Sequence, residues 1–147
     1  MSARAAPHRA RGDRGSALML MPACVLVVLV LASIAVDMAL VHLRQRQAFD
    51  VAASAANDAV TAGVDAGRLR QGDYALDPVQ VDQVVRRSVA ASQLAGRLAR
   101  QPDVEIEGDT VEVVLAVEAD YLFSGAVPGA PDRTVVTAVA SATAISP

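Results

Sequence analysis

The spacing of apolar and polar residues changes three times along this chain, and each pattern predicts a different element. Residues 17–36, ALMLMPACVLVVLVLASIAV, form a run of twenty without a charge and with no preferred face. A helix of about 20 apolar residues spans a hydrocarbon core about 30 Å thick, so the run predicts a transmembrane helix.

No Gly or Pro interrupts the next stretch until Gly63, and most of its residues are good helix formers. One long helix is expected from the span to about residue 61, ended by Gly63. At about 1.5 Å per residue it approaches 70 Å in length, about half of it beyond the bilayer. Leu40, Leu43, Ala48, Ala52, Ala55, Ala59 and Ala62 recur at three- to five-residue intervals as a stripe of mostly small side chains. Small side chains let helix backbones approach closely. Ala48, Ala52, Ala55 and Ala59 are therefore the candidate helix-packing interface, either with a partner or with this chain's own C-terminal part. Arg46 and Asp50 lie one turn apart, an i,i+4 pair on a solvated face.

Residues 63–77 carry three Gly and predict a loop. Asp77-Pro78 then opens a second helix, with Asp as N-cap and Pro in the first helical position. Val81, Val84, Val85, Ser88, Ala91, Ala95 and Leu98 give it one face, and Gln101-Pro102 is its expected end. Beyond this the period falls to two. Residues 104–107 alternate, Gly108-Asp109 is a hairpin turn signal, and residues 110–121 alternate again. Val111, Val113, Leu115, Val117, Ala119 and Tyr121 share one side of that strand, and Thr110, Glu112, Glu118 and Asp120 the other. A Gly- and Pro-rich loop, residues 124–133, precedes a Val/Thr/Ala strand over 134–145 whose two faces are equally semi-polar.

The expected fold is α+β: a long N-terminal transmembrane helix continuing outside the membrane, then a helix and a small antiparallel sheet of about three strands. The expected division is a cytoplasmic Arg-rich tail (1–16), the transmembrane helix (17–36), an extended outer helix (37–62) and an exported α+β domain (63–147). One amphipathic helix and a small sheet bury little apolar area, so the outer helix or a second subunit is needed to complete the core.

Charge adds direction. Before the span, four Arg face Asp13 alone; after it, nine Arg face fifteen acids. Positive flanks stay in the cytoplasm, so the expectation is a single-pass cell-membrane protein with a cytoplasmic N-terminus and an extracytoplasmic C-terminal domain. A cleaved secretory signal is the competing reading, with Ser33-Ile34-Ala35 as its small-x-small site. The apolar run before it is longer than the usual region of about 7–15 residues. Cys24 stands near the beginning of the run, the wrong end for a lipoprotein signal.

Two residues in or beside the span stand out. Pro22 removes a backbone donor and is expected to kink the helix near Leu18. Asp37 marks the membrane edge, where an ionisable side chain is either simply hydrated or functional.

Composition narrows the chemistry. The chain is 53 % apolar but only 3 % aromatic, too hydrophobic for a disordered protein. Its net charge of −3 gives no whole-chain attraction to nucleic acid. A single Cys excludes an internal disulfide framework and any Cys-cluster metal site. His8 and His42 are far apart, and His42, one turn outside the span, reads as interfacial packing. Glu105, Glu107, Glu112, Glu118 and Asp120 read as a wet strand face that discourages sheet aggregation. No hydrolase, zinc-protease or phosphate-loop motif occurs. Neither an enzyme, a metal nor a cofactor is expected.

Arg14-Gly15-Ser16-Ala17 before a span with an early Pro22, an Ala35-Val36-Asp37 edge, and the helix RQRQA…AASAANDA resemble the TadE/TadG-like proteins of Flp (tight-adherence) pilus systems, of the actinobacterial type. GDTVEVVLAVEADYLF and TVVTAVASATA are similar to the β-rich tail of TadE-type members. The resemblance implies a membrane-anchored minor pseudopilin or accessory protein in pilus assembly or secretion. Its implied partners are the lipid bilayer, pilin or pseudopilin subunits, and inner-membrane pilus assembly proteins, with no nucleic acid. Pseudopilins carry Glu five residues after the Gly of their leader; here Leu20 stands five after Gly15, so leader cleavage is not expected. The alternative function is a secreted or anchored envelope protein unrelated to pili.

Overall fold

A computed structural model describes residues 13–70, 75–126 and 128–144. Most of the Arg-rich tail therefore lies outside the described residues. The architecture is α+β: a long N-terminal apolar helix, a second main helix and a three-stranded antiparallel sheet.

Helix α1 (Asp13–Ala62) is 50 residues long and carries Pro22 inside it. It ends where expected. Gly63 donates its N–H to the Ala59 carbonyl at 2.7 Å, and a Cβ at Gly63 would collide with that carbonyl and with Val81, 2.5 Å away. Space, not backbone conformation, demands glycine at this crossing.

The loop after Gly63 holds a short helix, α2 (Ala66–Leu69), opened by Asp65, whose carboxylate accepts the Gly67 and Arg68 N–H groups. A bridge between Val64 and Leu76 closes the loop at its base. Helix α3 (Pro78–Ala91) starts as the sequence predicts: the Asp77 carboxylate accepts the Val79 N–H at 2.9 Å, with Pro78 in the first turn. Its end differs from expectation. The helix stops ten residues before Gln101, because the Ser92 hydroxyl takes the Val89 carbonyl at 2.7 Å and accepts the Leu94 N–H. A local side-chain bond of this kind competes with continued helix. Ala95 falls in a 3-10 turn, Ala95–Arg97, and Leu98 bridges Val117 in extended form. Only Val81, Val85 and Val89 form the fully buried face of α3.

The sheet has the order β1 (Asp103–Glu107), β2 (Thr110–Asp120), β3 (Arg133–Thr143). Gly108 makes the hairpin turn at φ 59°, a left-handed position that favours glycine. Val111, Val113, Leu115, Val117 and Ala119 are buried, as the alternation requires. In β3 the buried set is Val136, Ala138 and Ala140, which the sequence left open.

Lengths explain how the layers match. Beyond Asp37, α1 has 25 residues, about 37 Å at 1.5 Å each. Strands β2 and β3 have 11 residues each, about 36 Å at 3.3 Å per residue. The outer half of α1 packs along both strands and against α3. Ala48, Ala52, Ala55, Ala56 and Ala59 join Val81, Val85, Leu115 and the inner valines in one core. The outer helix and the C-terminal residues thus form one body. Full burial of a Val or Leu contributes about 1.5–3 kcal/mol relative to exposure; the alanines contribute less through their own area than through close approach.

The other half of α1 touches none of this. Leu20, Met21 and almost every large apolar residue from Val25 to Met38 are exposed. It is one helix long and apolar enough to cross a membrane.

Candidate functional site: a carboxylate clamp at the foot of the domain

Asp37 is the first charged residue after the apolar run, and it is 4 % exposed. It faces the loop between β2 and β3. One carboxylate oxygen, Oδ1, accepts the Leu122 N–H at 2.8 Å and the Phe123 N–H at 3.0 Å. The other, Oδ2, accepts the Ser124 N–H and the Ser124 hydroxyl, both at 2.9 Å. Three consecutive backbone donors converge because residues 124–126 turn as a 3-10 helix. The arrangement resembles a helix N-cap in which the capping carboxylate comes from 85 residues earlier in the chain.

Burial by itself would push this carboxyl upward. The Phe123 N–H, the Ser124 hydroxyl and the Leu122 and Ser124 N–H groups outweigh it and hold the carboxyl below its usual value. Asp37 is thus a charged clamp in which each oxygen is multiply satisfied, and the hydrated-edge reading does not apply.

Two ion pairs anchor on the ends of the strands that flank the β2–β3 loop. Arg97 pairs with Asp120 at 2.5 Å, and Arg133 with Glu118 at 3.0 Å. All four side chains remain substantially exposed, so each pair adds little stability. The β2–β3 loop is closed across its neck by Tyr121 N–H to the Asp132 carbonyl at 2.8 Å.

Ala48, Ala52, Ala55 and Ala59 are fully buried under the chain's own sheet and α3. Their packing surface is therefore filled from within, and the partner-packing alternative for this stripe is corrected accordingly. Leu43 and Ala62, assigned to the same stripe, are exposed. Ala56, which the stripe omitted, is buried. His42 is exposed and lines a furrow with Phe49, Thr137 and Val139.

A second furrow, between α1 and α3, is lined by Asp50, Ser54, Asp58 and Arg87. There Ser88 donates to Asp58 at 2.8 Å. Among the described residues, no buried side-chain polar atom lacks a partner, and no three His, Cys, Asp or Glu side chains gather as metal ligands.

Comparison with known proteins finds no matching family model, and no match among curated proteins or solved structures.

Proposed function

We propose that this chain is a single-pass membrane protein with its N-terminus in the cytoplasm and its C-terminal domain outside. In that setting it acts as a minor pseudopilin or accessory protein of a Flp/Tad-type pilus or secretion machine. The observation that carries the reading is the division of α1. Its inner half presents apolar side chains on all sides, while its outer half is the spine of a folded domain. Such a chain presents to other proteins in the bilayer a bare helix, and to the exterior a small rigid head. The TadE/TadG-like sequence features described above supply the link to pilus assembly, and the charge step across the span supplies the orientation.

Packing on other subunits falls to the span, since the alanine stripe is already covered. Cys24, the single cysteine, is exposed on that span and allows a direct test. Oxidative cross-linking in native membranes should trap Cys24 against pilin, pseudopilin or platform helices, identified by mass spectrometry of the adducts. Deleting the gene in its own host should abolish surface pili or the matching secretion. Normal pili in the deletion strain would overturn the pilus assignment and leave an anchored envelope protein. A reporter active only outside the cytoplasm, fused after Pro147, checks the orientation.

A further inference from the structure

The β2–β3 loop carries two consecutive large apolar side chains in the open: Leu122 is 64 % exposed and Phe123 43 %. Their backbone N–H groups are the ones bound to Asp37, at 2.8 and 3.0 Å. Asp37 directly follows Val36, the last residue of the apolar run. The clamp therefore fixes the loop at the level where the span ends. We propose that residues 121–124 are a second membrane contact, with Leu122 and Phe123 seated at the boundary between lipid headgroups and acyl chains, and Asp37 as the latch that sets their depth. The proposal rests on the reading that α1 crosses a bilayer.

Three features point to lipid as the occupant. The loop is continuous in level with the apolar helix surface, where Val36 and Met38 are also exposed. Non-helical backbone reaching hydrocarbon depth is tolerated only when its polar groups are satisfied by protein or line a water-filled cavity. Here the N–H groups of Tyr121, Leu122, Phe123 and Ser124 all have protein acceptors. Finally, the Arg97 and Arg133 guanidinium groups pair with Asp120 and Glu118 at the ends of the strands that flank the loop, where headgroup phosphates would lie. Elsewhere on the domain Leu43, Phe49, Val79, Val135 and Val139 are also exposed, but none of them is tied to the end of the span; Val135 and Val139 alternate with Thr137 on β3, and Val139 shares a furrow with Phe49 and His42.

The chain has no Trp, so a single introduced Trp is a clean probe. The full chain is reconstituted in phosphatidylcholine–phosphatidylglycerol vesicles whose acyl chains carry bromine either near the headgroup or near the chain end. Phe123→Trp should emit at shorter wavelength than in water and lose intensity to the shallow bromine. Leu122→Trp is a second reporter, should the first disturb the loop. Leu29→Trp in the span should be quenched by the deep bromine, and Val139→Trp on β3 by neither. Adding Asp37→Asn to Phe123→Trp should shift emission to longer wavelength and abolish the shallow quenching. Water-like emission from both loop probes, with Leu29→Trp still quenched, would overturn the lipid contact and leave the span intact. That pattern would reserve the patch for a protein. Leu29→Trp without quenching would overturn the span and the proposal together. Quenching unchanged by Asp37→Asn would overturn the latch.

Discussion

The two halves of α1 share one secondary structure and are built for different surroundings. Between Val25 and Met38 the helix is wrapped in large aliphatic side chains, nearly all exposed. Between Ala48 and Val60 its buried face is almost entirely alanine. A large exposed apolar surface is unfavourable in water and neutral in hydrocarbon. A small side chain adds little area but lets a sheet and a second helix approach the backbone. Side-chain volume thus separates a half-helix long and apolar enough to cross a membrane from one packed against protein, although both halves are apolar. Asp37 stands at the junction and ties the foot of the sheet to it.

The sharpest way to break this contrast is to charge the inner half. Leu29→Arg should cost about 2.5–3.5 kcal/mol of insertion at the centre of a span. Carbonate-resistant membrane association should fall, while the thermal midpoint of the solubilised domain stays unchanged. A lowered midpoint would mean that the inner half also packs on the domain.

The converse substitution belongs to the outer half. Ala55→Leu places three extra carbons in a fully buried site and should destabilise the domain by about 1–3 kcal/mol. Membrane association should persist, and the variant should be cleared by proteolysis. A Leu variant that melts like the parent would remove close packing as the reason for the alanines.

Gly63→Ala tests the crossing of α1 over α3 and should have a smaller effect. Overpacking against the Ala59 carbonyl and Val81 costs about 1–3 kcal/mol, and a less flexible unfolded chain returns about 0.4–1 kcal/mol. The net loss is read from urea unfolding in detergent.

The smallest effect concerns acid. The Arg97 hydrogen bond is the largest influence on the Asp120 carboxyl and lowers it despite partial burial that acts to raise it, with the Arg97, Arg133 and Arg44 charges assisting. A folded-state value below the unfolded one stabilises at pH above the unfolded value and loses that contribution as pH falls through the folded one. Asp120→Asn should therefore change stability slightly at neutral pH and not at all at strongly acidic pH. Circular dichroism during acid titration checks this, and an equal change at both extremes would remove the ion pair as the cause.

Much of this was legible in the chain. Charge-free length marked the exposed apolar half of α1, Asp77-Pro78 marked the start of α3, and a period of two marked β2 with its buried side. These depend on neighbours within a few residues, and local physics suffices for them. The end of α3 was not legible, because a Ser-capped stop at Ser92 competed with apolar residues that continued in helical spacing.

What only the tertiary structure decided concerns choices between equivalent options. The residues of β3 are semi-polar on both sides, and its buried face was chosen by the alanine surface of α1 lying across it. The alanine stripe suited a partner as well as the chain's own sheet, and strands of matching length beside it settled the matter. Asp37 offered no local clue to its role, since its four donors arrive from residues 85 to 87 positions later. Sequence by itself determined the elements and the step along α1 from an exposed apolar half to a half with one buried face, both properties of composition over a limited window. The clamp at that step depends on distant backbone N–H groups, which every residue but proline possesses, so no side-chain pattern announces them.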